Sequence, residues 1–155
     1  RVASRCGALA RAAGLLGIPA FASEHCPDRI GHTVPALRAL FDAPNVLAKL
    51  HFSCADEPEV LAKLRAAGRG QVLVVGMEAH VCVMQTALGL MEHGLRVFVA
   101  RDAVGSRRPE DRGAALARLD AAGCGAATAE MAIFEWAHRA DAPQFRSLLE
   151  IVKGL

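Results

Sequence analysis

Apolar positions along this chain follow two alternating rhythms. In some stretches they recur at helical spacing; between these lie short runs in which they are nearly continuous. Val2, Cys6, Leu9, Ala13 and Leu16 share one face of a first predicted helix. Val60, Leu61, Leu64 and Ala67 mark another, Ala115, Leu116, Leu119 and Ala122 a third, and Phe145, Leu148, Leu149 and Val152 a C-terminal one with Pro143 near its first turn. Gly17, Gly68, Gly94 and Gly123 close helical stretches, where a left-handed residue ends a helix at little cost. After each comes an apolar run: IPAFAS (18–23), QVLVVG (71–76), RVFVAR (96–101) and GAATA (125–129). A shorter run, NVLAK (45–49), follows the helix-like TVPALRALF. The unbroken LVV of the second run suits a strand buried on both faces. HVCVMQTALGLMEHG is apolar on most sides, which predicts a helix packed centrally against a sheet and against a partner chain.

Helix and strand in alternation imply a parallel sheet with right-handed crossovers and helices on both faces, a three-layer α/β/α architecture. The runs supply five strands, and because the first element is a helix, a further strand is expected upstream of Arg1. The 155 residues fit one domain spanning 1–155, and a hydrophobic content of 53% is too high for a disordered chain. No apolar run approaches the ~18 residues of a membrane span, and no segment reads as a signal peptide. The net charge of +2 is scattered along the chain, which argues against a nucleic-acid partner. Five cysteines, an odd number without a CxxC pair, read as reduced thiols of a cytoplasmic protein.

In an open parallel sheet, ligands bind beyond the C-terminal strand ends. The polar residues there are Glu24 and His25; Lys49, His51 and Phe52; Glu78, His80 and Cys82; Asp102; and Glu130. VLVVGMEAHVCV reads as buried strand, tight turn and helix start, which puts the Cys82 thiol in a first helical turn. Unpaired N–H groups and the helix dipole there favour the thiolate and offer an oxyanion site. Cys82 is equally readable as a small apolar residue packed under the sheet. Lys49 closes a short strand at the cleft rim, where it supports a thiolate or lies along the surface with its amine in water. His80 lies two residues from Cys82, so the two point to different sides of a helix and His80 reads as a pocket residue rather than a base. Glu24, His25, Cys26, His32, His51 and Cys54 match no compact metal-ligand spacing, so no metal is expected. Asp102 and Glu130 read as residues that hydrogen-bond strand–helix turns.

VLVVGMEAHVCVMQTALGLMEHGLRVFVARDAVGSRRPEDRGAALARL resembles the isochorismatase-like hydrolases, nearest their small single-domain branch. ASEHCPDRIGHTVPAL, KLHFSC and EMAIFEWAHRADAPQFRSLLEIVK resemble further segments of that branch in the same order. The resemblance implies a six-stranded parallel sheet, assembly into a homo-oligomer, and hydrolysis of C–N bonds by an Asp, a Lys and a Cys without a cofactor. Cys82 matches the nucleophile and Lys49 the lysine. Met77–Glu78 matches the place of a cis peptide, and the N–H groups of Glu78 and Cys82 match an oxyanion hole. Glu24, His51, Phe52 and His80 are the expected substrate-pocket side chains. The aspartate of the pattern has no counterpart among residues 1–155 and is expected on the upstream strand. The resemblance makes the expected substrate a small amide or ureide; the alternative is a catalytically silent assembly protein of the same fold.

Overall fold

The computed structural model describes residues Arg1–Leu155. Helix α1 (Val2–Leu15) leads to β1 (Ala22–His25), two single-turn helices α2 (Pro27–Ile30) and α3 (Pro35–Arg38), and β2 (Val46–Lys49). Then come α4 (Pro58–Ala66), β3 (Gln71–Met77), a π-helical turn at Ala79–Val83, α5 (Met84–Glu92) and β4 (Arg96–Gly105). Helix α6 (Pro109–Ala121), β5 (Gly125–Ala127), α7 (Ala129–Ala137) and α8 (Phe145–Lys153) complete the chain. Prolines 27, 35, 58 and 109 stand at helix starts, where the missing N–H costs no hydrogen bond.

All strand pairings are parallel, and the fold is α/β with helices on both sides, as the alternation predicts. Strand β3 shows why: Val72 and Val74 pack into one core with Val83, Leu90, Val97 and Leu116, while Leu73 and Val75 turn to the other with Leu9, Ala132, Ile133 and Leu148. This period of two buries a strand between two helix layers.

The five strands expected within the chain are all present, divided into two sheets, β1–β2 and β3–β4–β5. Between them runs a cavity of about 690 Å³ lined by Ser23 on one side, Leu73 and Val75 on the other, and Cys6, Ala13 and Leu90 from the helix layers. Strand β3 pairs only with β4, so its second edge faces this slot and its middle residues are only half-buried.

Three further expectations shift. The strand expected over 18–23 is found at Ala22–His25, because Pro19 offers no N–H and residues before Ala22 have no neighbouring strand to pair with. The helix-like 33–41 forms a single turn, Pro35–Arg38. Strand β4 continues to Gly105, past the polar pair Arg101 and Asp102, with a register shift opposite Gly76. Gly76 takes φ +114°, a conformation open to glycine and strained for other residues.

Candidate active site

Lys49 ends β2 with 4% of its surface exposed. A buried ammonium needs its donors satisfied, and all three have partners: Nζ donates to the carbonyls of His51 (3.0 Å) and Phe52 (2.8 Å) and to the Cys82 thiol (3.5 Å). No carboxylate forms an ion pair with it. Two carbonyl dipoles therefore fix the ammonium, and its charge is turned on the sulfur.

Cys82 is half-buried and sits in the π-helical turn that follows β3, not in the first turn of a regular α-helix. The carbonyl of Glu78 accepts from the N–H groups of Val81 and Val83, both at 3.2 Å, and α5 starts at Met84. The Met77–Glu78 peptide that precedes the turn is cis. One turn beyond Cys82, the buried Thr86 hydroxyl accepts the Cys54 N–H at 2.9 Å. That bond ties the segment after Phe52 to the nucleophile's helix. Lys49 and Cys82 thus meet from positions 33 residues apart, one from each sheet.

The other rim residues go to varied places. Glu24 is buried, its carboxylate accepting from His32 Nδ1 and the Thr33 N–H, each at 2.8 Å. The His32 contact first, and the Thr33 N–H with it, hold its carboxyl down at about 2. Glu24 therefore closes its own loop. His51 turns its exposed ring to Glu57 at 3.1 Å and reaches Lys49 by its carbonyl alone. Phe52 reaches Lys49 in the same way, while its half-exposed ring lies 4.9 Å from that of His25. His80 bonds the Ser106 hydroxyl at 2.9 Å, and the Glu78 carboxylate accepts the Arg107 N–H at 2.9 Å, so both clamp the turn to the loop after β4. Asp102 accepts the Ala129 N–H and pairs with Arg5, fixing a strand–helix turn as expected.

The sequence reading missed three contributors: Glu57, Thr86 and Ser106. Glu57 stands directly before Pro58 at a helix start and so looks like a cap. Its side chain leaves its own helix uncapped and turns back to residues 50 and 51. Thr86 lay inside an apolar helix, where nothing in the pattern marks a polar contact. No group of three or more His, Cys, Asp or Glu side chains is placed to hold a metal.

Three comparisons bear on this geometry. The profile of the Isochorismatase domain family matches residues 1–131. A secreted isochorismatase effector of Phytophthora sojae is 38% identical over 147 residues, covering 92% of this chain and 70% of that protein. Isochorismatase domain-containing protein 2 of Bos taurus is 36% identical, covering 99% and 74%. Among solved structures, the MAR1 ribonuclease of Caenorhabditis elegans superposes with a TM-score of 0.91 at 34% identity, over 98% of this chain and 78% of that one. YcaC of Pseudomonas aeruginosa, solved with hexane-2,5-diol and covalent acrylamide, gives 0.89 at 27% identity, over 97% and 76%.

Proposed function

We propose that this chain, which belongs to the isochorismatase family, is a cysteine hydrolase that cleaves a C–N bond of a small amide or ureide. The reading rests on one observation, the 3.5 Å contact between Lys49 Nζ and Cys82 Sγ at the C-terminal strand ends. The attacking form of a cysteine is its thiolate, and an ammonium held at this distance is a counter-ion for the negative sulfur. The thiolate adds to the carbonyl carbon, and the backbone N–H groups of Glu78 and Cys82 take the oxyanion. The amine leaves with a proton, and water hydrolyses the resulting thioester to the acid and the free thiol. That a structural neighbour carries covalent acrylamide, itself an amide, supports a reactive nucleophile in this fold.

The general acid–base group is the part no residue around Lys49 supplies. The slot between β1 and β3 is the place for it: an extended strand there would end beside both Lys49 and Cys82, and a carboxylate at its C-terminal end would exchange the thiol proton. The second reading is a silent assembly protein of the same fold. Exposed Met131 and Phe134 support a homo-oligomer under either reading, and five free thiols support the cytoplasm as its compartment. No helix is long and apolar enough to cross a membrane.

The test is ammonia or amine release from a panel of small amides and ureides by the full-length protein and its Cys82→Ser variant. Turnover lost in the variant, with its circular dichroism unchanged, is the expected result. Turnover retained without the thiol would refute the mechanism, and none in either protein would favour the silent assembly protein.

A further inference from the structure

Lys49 is useful to the thiol only while its ammonium is held in place, and the two carbonyls holding it belong to the exposed segment 50–52. Leu50 and Phe52 are 76% and 48% exposed, so burial does little to fix this segment. What fixes it is a single carboxylate oxygen. Glu57 Oε1 accepts the N–H of Leu50 at 2.7 Å, the N–H of His51 at 2.9 Å and the ring Nδ1 of His51 at 3.1 Å. The His51 N–H first, then that of Leu50, hold the Glu57 carboxyl below its ordinary range. These two bonds fix the peptide units 49–50 and 50–51, directly before the two carbonyls that reach Lys49.

We propose that Glu57 is a positioning residue for the site: its carboxylate fixes residues 50–52 so that the carbonyls of His51 and Phe52 hold the Lys49 ammonium against Cys82. The proposal rests on the Lys49–Cys82 reading above and adds to it a residue that touches neither group. It also makes a prediction whose sign is diagnostic. Removing a negative charge near a thiol by itself favours the thiolate and speeds its reactions. Removing Glu57 releases the ammonium's carbonyl cradle and must slow them.

The experiment measures alkylation of Cys82 by iodoacetamide in the full-length protein over a pH series, with each cysteine quantified by mass spectrometry. Glu57→Ala is expected to slow Cys82 at neutral pH about fivefold. Glu57→Gln keeps an oxygen at the same place and is expected to stay close to the parent rate. In a Lys49→Ala background, Glu57→Ala should change nothing further, because its effect passes through the ammonium. The buried Cys124 should stay unlabelled throughout, which separates this role from a loosened fold. An unchanged or faster Cys82 in Glu57→Ala, a Gln variant as slow as the Ala variant, or slowing that persists without Lys49 would each overturn the proposal. Lys49→Ala without effect on Cys82 would overturn it together with the site reading. Alkylation needs no turnover, so a protein inactive on every amide but showing this pattern would refute the hydrolase and leave the role of Glu57 standing.

Discussion

Replacing Glu24 by Gln is expected to weaken the fold in a way that fades with acid. The carboxylate is 7% exposed and carries two charge-assisted hydrogen bonds of 2.8 Å, which lower its pKa from 4.5 to about 2. A depressed folded-state pKa stabilises the protein above the unfolded value and loses that stabilisation as pH falls through the folded one. The full shift corresponds to about 3 kcal/mol at neutral pH. His32 is 68% exposed, so solvent screens its share and about 1.5 kcal/mol is the realistic loss in Glu24→Gln. The Gln oxygen still accepts the Thr33 N–H, so the difference isolates the charge. Between pH 4.5 and 2 the parent protonates and the difference should shrink, to roughly 40% of its neutral value at pH 3. Urea unfolding of both proteins, followed by the fluorescence of the single Trp136, gives the difference at each pH. A gap of equal size at pH 7 and pH 3 would refute the reasoning, because an effect independent of protonation cannot come from the carboxylate's charge.

Gly89→Ala should lower stability and turnover together: its Cβ would lie 2.8 Å from the Ala55 Cβ and 3.1 Å from the Ser53 hydroxyl, pushing the segment after Phe52 off α5. The gain of about 1 kcal/mol in helix propensity is outweighed by an overpacking cost of about 1–3 kcal/mol, and thermal unfolding checks the sign. Gly125→Ala would drive a methyl into the Phe98 ring and should cost a similar ~1–3 kcal/mol in urea unfolding, without altering Cys82 alkylation. Thr86→Val leaves the Cys54 N–H without its acceptor and should cost about 1–3 kcal/mol, with faster amide exchange at Cys54 as the local signature. Light scattering should find the protein larger than a monomer, and Met131→Asp with Phe134→Asp should reduce its mass.

The sequence carried the layered fold because its signals are redundant. β3 and β4 have side chains alternating into two cores, and the helices before β1, β3, β4 and β5 end at glycines with positive φ: Gly17, Gly68, Gly94 and Gly123. The pattern alone made Lys49 and Cys82 candidates at strand C-terminal ends, each with a plain structural reading beside it, and the family resemblance singled them out as a pair. What lay beyond reach was backbone chemistry. The cradle of Lys49 is made of carbonyls, which every residue has, so His51 and Phe52 were singled out for their side chains and act on the lysine through their main chain. Glu57 was hidden by a stronger local meaning, an acidic residue at a helix start. The π-helical turn was hidden because VCVMQTAL has an ordinary helical pattern, and only the hydrogen bonds to Glu78 reveal the extra residue.

The Lys49–Cys82 contact joins residues 33 apart in the chain, one from each sheet, so it exists only once both sheets are in place. The chemistry of the site is therefore a late product of folding. No local segment holds it alone, and a chain folded in one half only would keep the thiol without its cation.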